Sequence, residues 1–327
     1  MDLSVIIVSY RGWKHLRECL DSLARFSGSL FTSEVIIVDN DSDDGIPDQF
    51  KSDYPRFIFI SNNVNGGFAN GCNLGSSFAI GDYFLFLNPD TVALETEVGK
   101  LLKRAKEYPS QYINSCRQVN ENGKESKAFG LFPQIGALTG TGRAIFKILN
   151  RKNVNSKTEA KNNLITPDWV SGSVIMIEKE KFRAVGGFDE DFWMYFEDMD
   201  LCRRVRDNNG EIAYHTDITI QHNHGGSSRI NLKTTSLTKT EVIISYHVYI
   251  SKHYKGIGMF FIQLYLFLYN FASGIIQALF GLIFFASPEM FSKVLIFGKL
   301  LSYYSGALIR GSWISPRSVN SLKTKIL

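Results

Sequence analysis

The chain has 327 residues and 36.9 kDa, of which 44% are hydrophobic and 21% charged, with 36 Lys and Arg against 32 Asp and Glu. That is enough to bury a full core and excludes a disordered tail or a small stapled scaffold, and a net charge of +4 is too weak a field to argue for nucleic acid. Four cysteines, Cys19, Cys72, Cys116 and Cys202, form no CxxC pair, so neither a zinc ribbon nor a disulfide framework is expected and a reducing compartment is the default.

Up to about residue 107, short apolar runs alternate with longer amphipathic stretches, the pattern of strands and helices in a parallel sheet. Strands are expected over 3–9, 35–38, 57–60 and 83–87, with helices over 13–25, where Leu16, Leu20 and Leu23 share a face, and over 68–79. This is a doubly wound α/β pattern. Met1 runs straight into the apolar residues 3–8 without a basic region, so no signal peptide is read and the catalytic part is expected to stay in the cytoplasm. Residues 108–230 are less regular, with a hairpin turn at Asn122 and Gly123, a polar stretch over 150–163 read as a mobile loop, strands at 174–177 and 218–221 and a helix over 198–206.

The last part changes character. From Gly256 to Pro288, 33 residues contain no Asp, Glu, Lys or Arg, more than the ~20 needed to span a bilayer. Lys252 and Lys255 precede the run and Lys293 and Lys299 follow it, which assigns both ends to the cytoplasmic side. A shallow hairpin or interfacial helix pair fits better than one crossing, with Gly274 and Gly281 allowing a break and Phe260, Phe261, Tyr265, Tyr269, Phe284 and Phe285 able to sit at headgroup level. A buried core helix or an oligomer interface is the alternative reading of the same run.

Five features carry chemistry. In an open α/β sheet, ligands bind outside the carboxyl ends of the strands; here those ends carry Ser9, Tyr10 and Arg11, then Asp39, Asn40 and Asp41, then Asn62 and Asn63, then Asn88, Pro89 and Asp90. A glycine-rich helix entry, NGGFANGCNLG over 65–75, lets backbone amides approach a phosphate, without the spacing or position of a dinucleotide fingerprint. At LNPDT, 87–91, a carboxylate can hold a divalent ion against a diphosphate or cap the next helix. The run 186–204, GGFDEDFWMYFEDMDLCRR, sets five aromatics among carboxylates, where desolvation and mutual repulsion favour a general base; Asp198 as a helix cap is the structural alternative. Finally, His222 and His224 share one side of a strand end, where either can meet a metal or a phosphate.

Taken in order, VIIVSYR, EVIIVDNDSDDG, NNVNGGFANGCNLG, FLFLNPDT, SGSVIMIEKEKFRAVGGFDEDFWMYFEDMDLCRRV and HNHGGS resemble the inverting nucleotide-sugar glycosyltransferases of family 2, in their bacterial rhamnosyltransferase-like branch. The resemblance covers residues 3–228, and the hydrophobic tail with its closing SGALIRG is similar to the same branch. It implies a GT-A fold, a Rossmann-like mostly parallel sheet flanked by helices, over 1–230, with a nucleotide-binding half (1–107) and an acceptor and catalytic half (108–230). Residues 231–327 would form a helical membrane-associating region. Carried over residue by residue, it implies Asp39 on a pyrimidine base, Ser9, Tyr10 and Arg11 lining the nucleotide, and Asn65, Gly67, Asn73 and Asn88 beside nucleotide and diphosphate. Asp90 would bind Mg²⁺ or Mn²⁺, with Asn88 where the first Asp of a DxD motif stands, and His222, or as second choice His224, would complete the metal or diphosphate site. Asp198 matches the catalytic base; Trp169, Gly172, Trp193 and Glu197 are expected near sugar and acceptor.

The reaction so implied is one inverting displacement from a nucleotide-sugar donor, dTDP-L-rhamnose as the best match, to a hydroxyl of a lipid-linked glycan at the cytoplasmic face of the bacterial inner membrane, in O-antigen-like polysaccharide synthesis. The alternatives are a UDP-sugar donor (galactofuranose, N-acetylglucosamine or glucose) or a non-catalytic nucleotide-binding membrane module. Nothing in the sequence decides between a monomer and an oligomer.

Overall fold

The computed structural model describes residues 1–44, 47–133, 159–223 and 231–324. The described residues fall into two compact units, one within Met1–Asp189 and Glu197–Gly226, the other within Glu190–Phe196 and Ser227–Leu327.

In the first unit, β1 (Leu3–Ser9) is buried along its whole length, as a strand covered on both faces must be. It pairs in parallel with β2 (Ser33–Asp39), which pairs in parallel with β3 (Ile58–Ser61), and on its other side with β4 (Tyr83–Leu87). The registers Ser9↔Asp39 and Asp39↔Ser61 bring three carboxyl ends level. Alternate residues divide the two faces. Leu3, Val5 and Ile7, with Val35 and Ile37, meet Leu16, Leu20 and Leu23 of α1 (Trp13–Ala24) and Val98, Leu101 and Leu102 of α4 (Glu95–Glu107) in one buried cluster, to which Phe50 of α2 (Pro47–Asp53) adds its ring. Ile6 and Val8 face α3 (Gly67–Phe78), where a Cβ at Gly71 would lie 2.6 Å from Val8 and one at Gly75 2.6 Å from Ile6. Those two glycines let the helix approach the sheet; the expectation that the whole glycine-rich entry serves a phosphate is corrected for them.

Beyond β4 the sheet turns mixed, continuing through β11 (Val174–Glu178), β6 (Gln111–Val119) and β12 (Glu211–His222) to β5 (Thr91–Val92). After β5 (Thr91–Val92) and β6 (Gln111–Val119), the chain turns at Asn122 and Gly123, whose φ is +73°, into β7 (Glu125–Ser126), antiparallel to β6. β8 (Phe129–Gly130) and β10 (Trp169–Val170) make a separate two-stranded sheet, and β9 (Leu164–Ile165) pairs with β12. β11 (Val174–Glu178) runs antiparallel to β4 and β6, and α5 (Lys179–Ala184) and α6 (Glu197–Asp207) follow. β12 spans Glu211–His222, longer than the 218–221 expected, because polar residues such as His215 and Asp217 interrupt the apolar signal of its first half and a register shift falls between His215 and Thr219. Most of the polar stretch 150–163 lies outside the described residues, as do His224 and the Gly-Gly turn after it.

The second unit holds α7 (Leu232–His253), α8 (Gly256–Ile283), α9 (Pro288–Arg310) and α10 (Val319–Thr324). Asn231 caps α7, its side chain accepting from Thr234 N at 2.8 Å. The apolar run folds as one unbroken helix of 28 residues, about 42 Å at 1.5 Å per residue. The break that Gly274 and Gly281 would allow does not occur. The chain turns instead after Ile283, where Ser287 and Pro288 start α9, a strong helix start because proline at the first position loses no hydrogen bond. The two glycines serve the α8–α9 contact: a Cβ at Gly274 would sit 2.5 Å from Phe297 and one at Gly281 2.5 Å from the Met290 carbonyl oxygen.

Candidate active site

The aligned ends of β1, β2 and β3 present polar atoms that the fold leaves unused. Ser9 Oγ and Asp39 Oδ1 are buried and have no hydrogen-bond partner among the described residues, a costly state unless a ligand completes it. Burial pushes the Asp39 carboxyl above the usual range, opposed by hydrogen bonds from the Ser42 hydroxyl and amide. Beside it, Arg11 sits at a positive φ of 52°, its N–H donating to Ser42 Oγ at 3.1 Å and its Nε to Ser42 O at 3.0 Å, while its guanidinium lies 5.2 Å from the exposed Tyr10 ring. Asn40 joins the next layer: its Nδ2 donates to Asn65 Oδ1 and to Gly67 O, both at 3.1 Å, and its Oδ1 accepts from Asn62 Nδ2 at 2.8 Å. Asn62 also donates to Asn70 Oδ1 at 2.8 Å. This asparagine network fixes the 65–70 turn against the strand ends. Asn73 turns elsewhere, donating to Phe188 O and accepting from Phe188 N at 2.9 Å each, which makes it a backbone clamp.

The end of β4 meets the end of β12. Antiparallel pairing of His222 with Thr91 and a hydrogen bond from Asn223 N to Asp90 O at 2.9 Å put the Asp90 carboxylate beside the His222 ring. Gln118 Oε1 accepts from Ser173 Oγ and faces His222 Nδ1, each at 2.8 Å, which assigns the proton to Nδ1. In the neutral ring Nε2 then points its lone pair at Asp90 Oδ1, 3.1 Å away, with Asn88 Nδ2 3.5 Å from the same nitrogen. Two acceptors face each other, and Asp90 Oδ1 is buried without a hydrogen-bond donor among the described residues. A proton on the ring or a cation between the two groups resolves that repulsion. No three His, Cys, Asp or Glu side chains gather into a metal cluster among the described residues, so an ion here would take two such ligands from the protein. That suits Mg²⁺ or Mn²⁺, which keep positions for phosphate oxygens and water.

The third cluster is at the start of α6. Asp198 lies in the first turn, one residue inside the helix, and does not cap it. Its Oδ2 accepts from Gly172 N at 2.9 Å and its Oδ1 from Met199 N at 2.7 Å, and it remains partly exposed. A Cβ at Gly172 would lie 3.2 Å from Phe68 and 3.4 Å from Asp198 Cβ, so a glycine keeps this approach close. Glu197 is 6% exposed and its Oε2 has no partner among the described residues. Burial and the neighbouring Asp198 charge hold the Glu197 carboxyl well above its usual range. Burial also raises Asp198, but its two backbone donors favour the ionised form, so of the pair it is Asp198 that gives up its proton first.

Comparison with known proteins gives these clusters a context. Residues 4–159 match the model of glycosyl transferase family 2, and residues 160–224 continue it with the model described as the N-terminal domain of galactosyltransferase. The chain carries a glycosyl transferase family 2 domain. This transferase is 26% identical over 221 residues to an N-acetylglucosaminyl-diphospho-decaprenol L-rhamnosyltransferase of Mycobacterium tuberculosis, covering 62% of the chain and 70% of that protein. It is 25% identical over 230 residues to a low-salt glycan biosynthesis hexosyltransferase of Haloferax volcanii, covering 68% and 67%, and 24% identical over 211 residues to rhamnosyltransferase WbbL of Escherichia coli, covering 62% and 75%. Among solved structures it is similar to a Pyrobaculum calidifontis mannosyltransferase in complex with GDP-Man and Mn²⁺ (TM-score 0.53, 15% identity, 81% of this chain and 68% of that one). TarS of S. aureus matches at TM-score 0.52, 17% identity, over 83% and 72%. These likenesses establish the GT-A fold, and the reaction class is glycosyl transfer.

Within the transferase, the fold gathers Ser9, Asp39, Asn40 and Asn65 at one edge, Asn88, Asp90 and His222 at a second cluster, and Gly172, Glu197 and Asp198 at a third. Trp169 lies on the small sheet, its Nε1 donating to Leu131 O at 3.0 Å and its ring covering Gly130, where a Cβ would sit 2.8 Å away. Trp193 belongs to the second unit, 7% exposed with the Arg317 guanidinium 5.9 Å from its ring. Sequence reasoning missed Gln118, which stands in no motif; only pairing of β6 with β12 gives it a task.

Proposed function

We propose that the transferase moves a sugar, best matched by L-rhamnose from dTDP-L-rhamnose, onto a hydroxyl of a lipid-linked glycan with inversion at the anomeric carbon. The observation that carries this reading is the pair at 197 and 198: a buried carboxyl that keeps its proton beside a partly exposed carboxylate oriented by two backbone amides. Asp198 accepts the proton of the acceptor hydroxyl as its oxygen attacks the anomeric carbon, and the bond from that carbon to the diphosphate oxygen breaks on the opposite side. Asp39 Oδ1 takes the N3–H of a pyrimidine base, the donor its buried oxygen lacks, with Ser9, Tyr10 and Arg11 lining the nucleotide. Asn65, Gly67 and Asn88 lie beside the diphosphate.

Asp90 and His222 would hold a divalent ion, Mg²⁺ or Mn²⁺, through one oxygen and one nitrogen. Such an ion, when bound, neutralises charge developing on the leaving diphosphate. The orphaned Asp90 oxygen facing His222 Nε2 supports this assignment, as do the relatives of the same fold whose structures carry Mn²⁺ with UDP or GDP-Man. The exposed apolar length of α8, where Phe260 is 59% and Ile283 68% exposed, supports attachment to the cytoplasmic face of a membrane, where a lipid-linked acceptor resides.

A thermal-shift panel with dTDP, UDP and GDP, each with Mg²⁺, Mn²⁺ or EDTA, tests the donor site. A nucleotide at 100 times its Kd stabilises the folded chain by about 2.7 kcal/mol. Stabilisation by dTDP that EDTA removes is expected; UDP in its place would redirect the donor to a UDP-sugar, and no shift with any nucleotide would overturn the donor site.

A further inference from the structure

The seven residues Glu190–Phe196, which lead directly into Glu197 and Asp198, pack with the C-terminal helices. Four of its residues, Asp191, Trp193, Met194 and Phe196, are held there. The Asp191 carboxylate pairs with Lys252 of α7 and accepts from Asn320 Nδ2 of α10 at 2.8 Å, and its backbone oxygen accepts from Ser315 N at 3.2 Å. Met194 O accepts from Ser245 Oγ at 2.9 Å. Arg317, over the Trp193 ring, is itself fixed by Glu241, a carboxylate with no exposed surface that accepts from Arg317 Nη1 at 2.8 Å and from Ser315 Oγ at 3.0 Å. The Phe196 ring lies 4.4 Å from Tyr246 and 6.0 Å from Tyr249.

This grip has something to hold. Tyr195 and Phe196 both take left-handed backbone angles, φ +70° and +68°. Two successive bulky residues in that region are costly and persist only where their surroundings over-determine them. Left to itself, the loop would relax, and the first turn of α6 would lose its fixed entry.

We infer that residues 315–320, with Ser245 and Lys252, are positioning residues for the transfer reaction, holding the strained loop Glu190–Phe196 so that Asp198 enters α6 in its working orientation. The inference rests on the reading of Asp198 as the base. The C-terminal segment thereby governs catalysis without touching substrate, and loosening it lowers turnover while the nucleotide site, built on the opposite end of the chain, keeps its affinity.

The test uses the full-length chain in lipid nanodiscs, with the variants Asn320→Ala, Ser245→Ala and the two combined, and Arg317→Lys against Arg317→Met. Four quantities are measured: melting temperature, nucleotide Kd, amide exchange of the peptide covering 190–199, and kcat and KM with N-acetylglucosaminyl-diphospho-lipid as acceptor. The expected result is at least tenfold faster exchange in that peptide and at least a tenfold fall in kcat for the double variant. Melting temperature and nucleotide Kd should hold, and Arg317→Lys should retain more kcat than Arg317→Met. Unchanged exchange, faster exchange with unchanged kcat, or nucleotide affinity falling in step with kcat would each overturn the inference. A wild-type chain that binds no nucleotide and transfers no sugar would instead overturn the reading of the site, and the exchange measurements would still decide whether 315–320 holds the loop.

Discussion

Two carboxyls that are neighbours in sequence meet different environments. Glu197 Oε2 is sealed in without a donor, whereas both oxygens of Asp198 accept from backbone amides. Asp198→Asn keeps the shape and removes the proposed base, so transfer should fall by roughly 10²–10⁴ while nucleotide binding, measured by titration calorimetry, stays within twofold. The pH profile has a definite sign. The base works ionised, and burial favours its protonated form, so kcat/KM should decline as pH is lowered through a value above the ordinary ~3.9 of an aspartate. A profile flat down to pH 4 would place the proton transfer elsewhere. At this scale Asp39, Asp90 and Asp198 were legible because strand ends and a helix start mark them. Gln118 was not, since its role is to orient a histidine 104 residues away through a hydrogen bond that only the β6–β12 pairing creates.

At the scale of elements, the first four strands and two of the three helices among them, α1 and α3, could be read from apolar runs and amphipathic stretches, whereas the short, polar α2 could not. The antiparallel insertion of β11 and the first half of β12 could not, because pairing direction leaves no trace in a single run of residues. Glycine was the other misleading signal. A glycine in an apolar helix can mark a break or a close approach, and sequence does not say which neighbour arrives. Gly281 faces the Met290 carbonyl and Gly298 open space. Gly281→Ala should therefore part α8 from α9 and cost about 1–3 kcal/mol, whereas Gly298→Ala should be neutral or stabilise by up to about 1 kcal/mol. Thermal melts of the two variants in one detergent check both signs; equal melting temperatures would mean the helices adjust without cost.

For the whole molecule, the described residues include one helix long and apolar enough to cross a membrane, α8, and most of its side chains face outward. Its flanking lysines and the return of the chain through α9 fit a hairpin lying in one leaflet. The full-length chain should float with vesicles containing anionic lipid in a density gradient, and a chain ending at Lys255 should stay at the bottom. Flotation of the shortened chain would assign α8 to self-association. The two units are legible from composition alone only in part: the charge-free run announces the helical unit, but nothing in residues 190–196 announces that they belong to it, because their partners are set by the fold.

That membership has a consequence in time. Asp191 and the Asn320 that holds it are 129 residues apart, and a ribosome adds about 5–20 residues per second. The loop before the proposed base must therefore wait on the order of ten seconds after its own synthesis for the residues that pack against it. On the inference that residues 315–320 hold this loop, the turn before the proposed base is completed only after the apolar helix has been made and residue 320 has emerged from the ribosome.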